Sequence, residues 1–409
     1  MRNYFEKLNG KVEKYTKKYS KHPKKAALRL ALWNILCCFR TMHSDTEHNI
    51  NKNNDTNISN ININTNVIHH RIAILIKGGI GDQIIGCNYA HILSKRYPEI
   101  KMDLYIKKVL HDTFIDPLTW NGRVYEEKEK LLEHAYDVVI QLDRYPHILF
   151  KESEALPKLQ GFIYYINMLQ KFKHCFNNFF AYETRFDGMT AAYSSILGKK
   201  RIQQADINSF LSIEENFSYN PPVKYTDICE RYNISHYNFI TVHRGCDTTH
   251  TSNSMKLWPM KHYNALIENI KKRFPHIIIV QMGVNSQRCP AMEGIDVNLV
   301  GKTSFADVCS LLKYSFLHID SEGGFVHIRH ALNGGRSVVL FGPTSKDFFG
   351  YSENINLRSD ACPYPCEHII PEWDQICIKN NSSCPECMNA LHPEYVLPFV
   401  LSEISHSHM

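Results

Sequence analysis

A short apolar run, followed by a glycine turn and then by a helical pattern, constrains the fold of this chain more than any other feature. Residues 71–76 form such a run, and the glycine-rich residues 77–82 separate it from a helical pattern that extends to about Tyr97. A continuous apolar run is typical of a strand that is buried on both faces of a parallel sheet. Alternation of such strands with helices indicates βαβ crossovers and an α/β fold.

The alternation occurs twice along the 409 residues, on either side of Pro221-Pro222. Before these prolines we predict further strands over residues 102–106 and 138–142, and a largely helical segment over 160–215. After them we predict strands at 239–242, 276–282, 316–320 and 337–341, and helices at 261–274, 304–313 and 326–332. Two such halves predict two Rossmann-like domains that face a cleft, over residues 69–218 and 219–409.

The first 68 residues differ in composition and are predicted to form a basic helix followed by an Asn-rich linker. Residues 1–40 hold eleven Lys or Arg and two acidic residues, and nine Asn fall between Asn49 and Asn66. The helix becomes apolar towards its end. It is suited either to contact with an anionic inner-membrane surface, or to packing on the body of the protein or on another subunit. The Asn-rich stretch is typical of a disordered linker.

Charge and cysteine usage exclude several classes of protein. Beyond residue 40 the chain has 36 basic and 39 acidic residues, so we expect no nucleic-acid-binding stripe. The apolar run at residues 26–36 is too short and too polar for a secretory signal or a membrane span. The 13 cysteines show no even disulfide framework, which is typical of a reducing compartment. We therefore expect a cytoplasmic protein, peripheral on the inner membrane if the basic helix binds lipid.

The glycine turn after the first strand carries the first candidate functional group. Gly78, Gly79 and Gly81 allow a ligand to approach the backbone, and the start of the following helix offers free N–H groups. Asp82 lies at the carboxyl end of the first strand, where open α/β sheets bind ligands. Its carboxylate is suited to general-base catalysis, or alternatively only caps the helix.

A polar segment at residues 247–259 lies at the same edge of the second domain, between a strand and a helix. Its hydroxyl groups and the Lys256 ammonium are groups that bind a diphosphate. The alternative is a polar loop that Trp258 anchors in the core.

The turn after the strand that ends at Asp320 is the third candidate. Glu322 precedes Gly323 and Gly324, which open a helix whose N-terminus favours a developing negative charge. His327 lies one turn into this helix. It is suited to a phosphate or ribose contact, or to a core or capping role.

Five cysteines crowd into residues 362–387, and these are Cys362, Cys366, Cys377, Cys384 and Cys387. A Cys-x3-Cys and a Cys-x2-Cys that are joined by a short loop match the thiolate spacing of a closed tetrahedral site for zinc or iron. One cysteine is in excess of four positions, either Cys377 or Cys384. With no open coordination position, the predicted metal is structural rather than catalytic and staples a loop or an oligomer contact. Unligated thiols and disulfides are the alternatives.

Four short motifs occur in order between residues 70 and 400, at Ile74–Asp82, Lys256–Pro259, Asn298–Ser304 and Leu340–Thr344. In this order they resemble the heptosyltransferase family, glycosyltransferase family 9. This family contains the sugar transferases of lipopolysaccharide core assembly and related bacterial heptose transferases. The resemblance implies a GT-B fold with an N-terminal acceptor domain and a C-terminal donor domain. It also implies inverting transfer of a sugar, most often from ADP-heptose, to a glycan, a lipid-linked oligosaccharide or a protein hydroxyl.

The resemblance also implies roles for individual residues. Asp82 is the expected base and Lys256 the expected ligand of the donor diphosphate. The family's Asp-Thr-Gly spacing leads here to Glu322, so either Glu322 or Asp320 contacts the ribose or sugar. The pair Thr251-Ser252 is the better-spaced counterpart of the family's Thr-Thr. Some relatives have similar Cys-rich loops, and certain autotransporter-modifying members have an iron-bearing finger.

Two other functions are compatible with the same residues. A nucleotide-sugar epimerase of this fold needs paired acids beside the donor, and Asp320 with Glu322 would supply them. A non-catalytic scaffold that is tethered to the membrane by its basic N-terminus would need neither Asp82 nor Lys256.

Overall fold

The computed structural model describes residues 71–115, 120–127, 129, 131, 136–151, 161–170, 187–217, 226–234, 238–245, 255–284, 289–368 and 373–407. Its strands are β1 (Arg71–Ile76), β2 (Lys101–Ile106), β3 (Val124–Glu126), β4 (Val138–Leu142), β5 (Pro146–Lys151), β6 (Phe239–His243), β7 (Ile278–Met282), β8 (Val297–Asn298), β9 (Leu317–Ser321), β10 (Ser337–Phe341) and β11 (Ile355–Arg358). Its α-helices are α1 (Ile80–Arg96), α2 (His111–Phe114), α3 (161–170), α4 (Asp187–Ile196), α5 (Thr226–Tyr232), α6 (Met260–Arg273), α7 (Phe305–Tyr314), α8 (Gly324–Ala331), α9 (Lys346–Phe349), α10 (Glu386–Asn389) and α11 (Pro393–Ser407).

Several sequence predictions fall on residues outside these ranges. They are the basic helix and linker of residues 1–68, the Pro221-Pro222 boundary, and the hydroxyl pair Thr251-Ser252. The domain limits at residues 68 and 218 stay a prediction.

The first sheet has five strands in the order β3-β2-β1-β4-β5. β1 pairs in parallel with β2 and β4, so Ile74 lies opposite Leu104 and Ile140, whereas β5 is antiparallel to β4. These three residues are fully buried, as expected for strands that are covered on both faces. The strand order reverses between β1 and β4. The binding crevice of this sheet is therefore expected where these two strands end.

The second sheet has six strands in the order β11-β10-β9-β6-β7-β8, and its neighbouring strands are parallel. β6, β9 and β10 are buried along their whole length. Here the order reverses between β6 and β9. The second crevice is therefore expected beyond His243 and Ser321, the last residues of these two strands.

The seven strands that the apolar runs predict are all present, with ends shifted by at most two residues. The four strands that they do not predict, β3, β5, β8 and β11, lie at the four edges of the two sheets. An edge strand has solvent on one side and needs no continuous apolar run. Residues 160–215 were predicted as largely helical. In the described part, α3 and α4 are helical and residues 201–206 form a 3-10 helix, but residues 207–217 are irregular.

The two halves pack against each other along α1 and α8. One cluster of buried apolar residues continues from Ile84 and Ile85 of α1 to Phe325 and Ile328 of α8. Glu215, at the end of the first half, adds polar contacts. Its carbonyl oxygen lies 2.8 Å from His330 Nε2, and its carboxylate accepts a hydrogen bond from the backbone N–H of Ser352. This packing brings the starts of α1 and α8 together.

No helix in the described ranges is both long enough and apolar enough to cross a lipid bilayer.

Candidate active site between the two sheets

The turn between β1 and α1 places Asp82 at the edge of the first sheet. Gly78 has a φ of 103°, which glycine adopts without strain, and a β-carbon there would lie 2.7 Å from the β-carbon of Asp82. Asp82 is the third residue of α1, and its Oδ2 accepts a hydrogen bond of 3.1 Å from the backbone N–H of Gly79. The N-cap residue is therefore Gly79, not Asp82 as one interpretation of the sequence predicted, and Asp82 uses one of its oxygens to bind the N-cap backbone from the third helical position.

The other oxygen of Asp82 pairs with Arg201, the first residue of the 3-10 helix. Arg201 Nη2 lies 2.6 Å from Asp82 Oδ1. The surrounding protein opposes ionisation, but the positive charges of Arg201 and then Arg144 outweigh this effect and lower the pKa of Asp82 to about 2. Asp82 is therefore ionised at neutral pH and is held by a buried guanidinium.

The second half contributes Lys256 from the segment that leads into α6. In this segment Trp258 is fully buried and donates a hydrogen bond of 2.7 Å from its indole nitrogen to the carbonyl oxygen of Leu391. The predicted role of Trp258 as a core anchor is therefore observed. Lys256 is only half-buried and meets the turn that follows β9.

Lys256 is surrounded by an acid and two aromatic rings. Its Nζ lies 2.5 Å from Glu322 Oε2, and 5.6 Å from the ring centroids of both Phe349 and Trp373. Burial opposes the positive charge, but Glu322 raises the pKa of Lys256 above its ordinary value. The ammonium group is therefore charged at neutral pH, and the aromatic faces favour the same state.

Asp320 and Glu322 occupy different environments. Asp320 is fully buried in β9, with its Oδ2 2.9 Å from His243 Nδ1 and 3.4 Å from His318 Nε2. Burial would raise the pKa of Asp320, but His243 and His318 hold it below its ordinary value. Of the two acids that the sequence offers for a sugar contact, Glu322 is the one beside Lys256. Asp320 lies inside the sheet between two histidines.

His327 is buried where the two halves meet. Its Nδ1 lies 2.6 Å from the hydroxyl oxygen of Tyr351, and burial lowers its pKa to about 4. A β-carbon at Gly81 would lie 2.5 Å from the Cδ2 atom of this ring, so the ring packs directly on the start of α1. The observed contacts are those of a packing residue. A contact of His327 with phosphate or ribose stays a prediction.

The starts of α1 and α8 lie against each other at two glycines. A β-carbon at Gly81 would be 3.4 Å from Gly324 Cα, and one at Gly324 would be 3.8 Å from the backbone nitrogen of Gly81. Gly323 precedes α8 in an extended conformation. Each helix N-terminus favours negative charge, so their meeting point is suited to an anion.

Four charged side chains, two from each half, act electrostatically on His327. Asp82 and Arg201 come from the first half and Lys256 and Glu322 from the second, and each of them affects the pKa of His327. This cleft therefore combines a carboxylate that can accept a proton with two cations and two helix N-termini that can hold a diphosphate.

The motifs of the sequence do not indicate Arg201. It follows Gly198-Lys199-Lys200, a stretch without a recognisable motif, and its partner Asp82 lies 119 residues away. Only the tertiary structure brings them together.

Four of the five clustered cysteines interact with one another. A hydrogen bond from Cys387 lowers the pKa of Cys362 to about 6, while burial and then the neighbouring Cys362 and Cys377 raise the pKa of Cys366 to about 11. Cys384 is exposed, and its sulfur lies 3.2 Å from the amide nitrogen of Asn389. Of the two cysteines that the sequence leaves in doubt, Cys384 is exposed and Cys377 is buried. In the described ranges no three His, Cys, Asp or Glu side chains are arranged to hold a metal ion.

Comparison with models of protein families gives a match to part of the chain. A model of glycosyltransferase family 9 (heptosyltransferase) matches residues 180–370. The chain is a glycosyltransferase, and this segment, just under half of its length, is similar to family 9. The match includes Arg201, Lys256, the turn after β9 and three of the four motifs, and it confirms the resemblance that the motifs indicate. The motif at Ile74–Asp82 lies outside it. No curated protein sequence matches the chain.

Solved structures of similar fold include three enzymes. ADP-heptose lipopolysaccharide heptosyltransferase II of E. coli is 13% identical, with a TM-score of 0.50 over 83% of this chain and 100% of its own. A family 9 glycosyl transferase from Veillonella parvula is 16% identical, with a TM-score of 0.52 over 82% and 98%. The iron-containing dodecameric glycosyltransferase TibC of enterotoxigenic E. coli is 10% identical, with a TM-score of 0.56 over 83% and 77%.

TibC has also been solved as a heptosyltransferase in complex with ADP-D-β-D-heptose. At these identities the similarity concerns the fold, and it confirms the predicted GT-B arrangement of two α/β domains.

Proposed function

We propose that this glycosyltransferase moves a heptose from ADP-heptose to a hydroxyl group of a glycan or protein, with inversion at the anomeric carbon. Two relatives of the same fold are described with this donor, heptosyltransferase II by its name and TibC by its complex. One observation carries the proposal. A carboxylate of the first half, Asp82, and an ammonium group of the second half, Lys256, both affect the pKa of His327.

In the proposed mechanism the first half binds the acceptor and the second half binds the donor. Asp82 takes the proton of the acceptor hydroxyl while that oxygen attacks the anomeric carbon from the face opposite the diphosphate. The bond between the anomeric carbon and the phosphate oxygen breaks, and ADP leaves with the additional negative charge. Lys256 and the start of α8, at Gly323 and Gly324, stabilise this charge, so no catalytic metal is required.

The acceptor and the location of the enzyme are part of the same proposal. The acceptor classes are a lipopolysaccharide core glycan, a lipid-linked oligosaccharide and a protein Ser or Thr. We propose a cytoplasmic enzyme, because all nine cysteines in the described ranges are unpaired.

The direct test is incubation of the purified full chain with a panel of nucleotide sugars, with and without acceptors of each class, followed by mass spectrometry. We expect ADP-heptose to add one heptose to an acceptor, and product NMR to show the inverted anomer. Conversion of the donor into another sugar nucleotide without any acceptor would instead indicate an epimerase. If no nucleotide sugar binds, the scaffold alternative is favoured and the proposal fails.

We also propose a structural zinc or iron ion on Cys362, Cys366, Cys377 and Cys387. Four thiolates are the donor set of closed tetrahedral sites for either metal. Binding would require these side chains to move together, because they are not arranged around an ion in this structure. The interactions of these thiols with one another support the choice, as does the exposed position of Cys384. Such an ion would cross-link the loop of residues 362–387.

A matched pair of variants tests this metal site. We expect Cys366→Ser to lose metal in elemental analysis of the purified protein, and Cys384→Ser to retain the wild-type metal content. Equal metal content in both variants, or no zinc or iron in the wild-type protein, would refute the site.

A further inference from the structure

Both cations of the cleft are already paired with a carboxylate. Arg201 lies 2.6 Å from Asp82, and Lys256 lies 2.5 Å from Glu322. The proposed donor brings a diphosphate, which needs positive charge. For the donor to bind there, at least one of these carboxylates must give up its cation.

Arg201 has the properties of a diphosphate ligand. A guanidinium has five N–H donors and matches phosphate oxygens in a bidentate fork. Arg201 is buried, yet across the described residues Asp82 is the one side chain to which it donates a hydrogen bond. The guanidinium therefore keeps donors for a second anion. The charges of Arg201 and Lys256 both lower the pKa of His327. The ring of His327 packs where the two helix N-termini meet.

We propose that Arg201 is a ligand of the donor diphosphate and that the donor binds by counter-ion exchange. The diphosphate replaces Asp82 as the ion-pair partner of Arg201, and it replaces Glu322 as the partner of Lys256. Asp82 then loses the partner that makes it a weak base, so the catalytic base becomes active only once the donor is bound. The proposal rests on the proposed function for the identity of the donor, but the exchange itself requires only a diphosphate.

Counter-ion exchange makes an unusual prediction about affinity. If Asp82 and Glu322 compete with the diphosphate for the two cations, neutral replacements should strengthen diphosphate binding, because the competition and the repulsion between like charges are both removed. Loss of the repulsion alone would also strengthen binding, so a second measurement has to separate this general effect of charge from competition for the cation.

The experiment measures the affinity of inorganic pyrophosphate, and separately of ADP, for the full chain by calorimetry. We expect Asp82→Asn and Glu322→Gln each to lower the Kd for pyrophosphate about fivefold or more. The matched control is Glu268→Gln, which removes an exposed acid that is paired with Lys272 on α6. This control should stay within about twofold of wild type.

A double-mutant cycle separates exchange from a general effect of charge. Arg201→Gln should weaken pyrophosphate binding about tenfold. In that background Asp82→Asn should give no gain, because the cation that it would free is absent. Arg201→Lys should restore part of the affinity, since it retains the charge but loses the bidentate fork.

The proposal is overturned if neither neutral variant tightens binding, if the gain from Asp82→Asn persists in Arg201→Gln, or if pyrophosphate and ADP do not bind at all. Glu322→Gln keeps the test valid if loss of the Asp82 cap impairs folding. Failure of the proposed function is separate. If these affinities change as expected but the enzyme transfers no sugar from ADP-heptose, the assignment of the donor is refuted and counter-ion exchange is not.

Discussion

The two ion pairs of the cleft differ in which partner, the acid or the cation, is more accessible to solvent. In the first half the acid is the exposed partner, with 41% of the Asp82 side chain accessible against 6% for Arg201. In the second half the cation is the more exposed partner, with 24% for Lys256 against 6% for Glu322. The first half therefore leaves its carboxylate accessible, and the second half leaves its ammonium group accessible. This difference supports the proposal that Asp82 is the base and that Lys256 binds the diphosphate.

Removal of the exposed carboxylate should have the largest effect. We expect Asp82→Asn to lower kcat about 10²- to 10⁴-fold, because the acceptor proton loses its base. The measurement is the initial rate with saturating donor. The matched control is Asp112→Asn, another acid in the first turn of a helix, and it should retain activity. Comparable turnover of Asp82→Asn and wild type would exclude Asp82 as the base.

Removal of the exposed cation should chiefly affect the donor. We expect Lys256→Met to weaken ADP binding about 10- to 100-fold, which corresponds to the loss of a charged hydrogen bond. Calorimetry with ADP measures this effect. Lys261→Met, which removes an exposed lysine of α6, should bind ADP like wild type. If the two variants behave alike, Lys256 does not hold the donor.

The contact between the two halves can be tested at Gly81. A methyl group there would meet the ring of His327, so we expect Gly81→Ala to separate the starts of α1 and α8 and to lower kcat/KM about tenfold. Gly161→Ala is the matched control, because a β-carbon there meets Tyr97 at an ordinary 3.5 Å. Unchanged kinetics of Gly81→Ala would show that the close approach is not needed for activity.

His327 predicts a dependence of stability on pH. Its pKa is about 4 in the folded protein and about 6.5 in an unfolded chain. The unfolded chain therefore binds a proton first as the pH falls from 6.5 to 4, and the free energy of unfolding declines by up to about 3 kcal/mol over this range. We expect urea titrations of His327→Gln to show a shallower decline than wild type. An equally steep decline in the variant would assign the effect to other groups.

The sequence predicted the central strands well because a strand that is covered on both faces needs an unbroken apolar run. Residues 71–76 and 337–341 have such runs and match their strands without a shift. The edge strands were not predicted, since β3 and β11 need no such run.

Within the candidate site, local motifs indicate Asp82, which closely follows β1, and Lys256, which lies in the segment between β6 and α6. The partner Arg201 could not be predicted, since no local pattern records a contact across 119 residues. The environments of Asp320 and Glu322 also depend on the tertiary structure. Asp320 lies within β9, beside the neighbouring strand β6, and pairs with His243, whereas Glu322 lies beyond the end of β9 and meets Lys256.

The most direct test of the shared cleft is a crystal structure of the full chain with ADP bound. We predict diphosphate oxygens within hydrogen-bonding distance of Lys256 Nζ, beside the start of α8, with the Asp82 carboxylate across the same cleft. ADP on another face of the molecule, or Lys256 still paired with Glu322 while ADP is bound, would contradict the account.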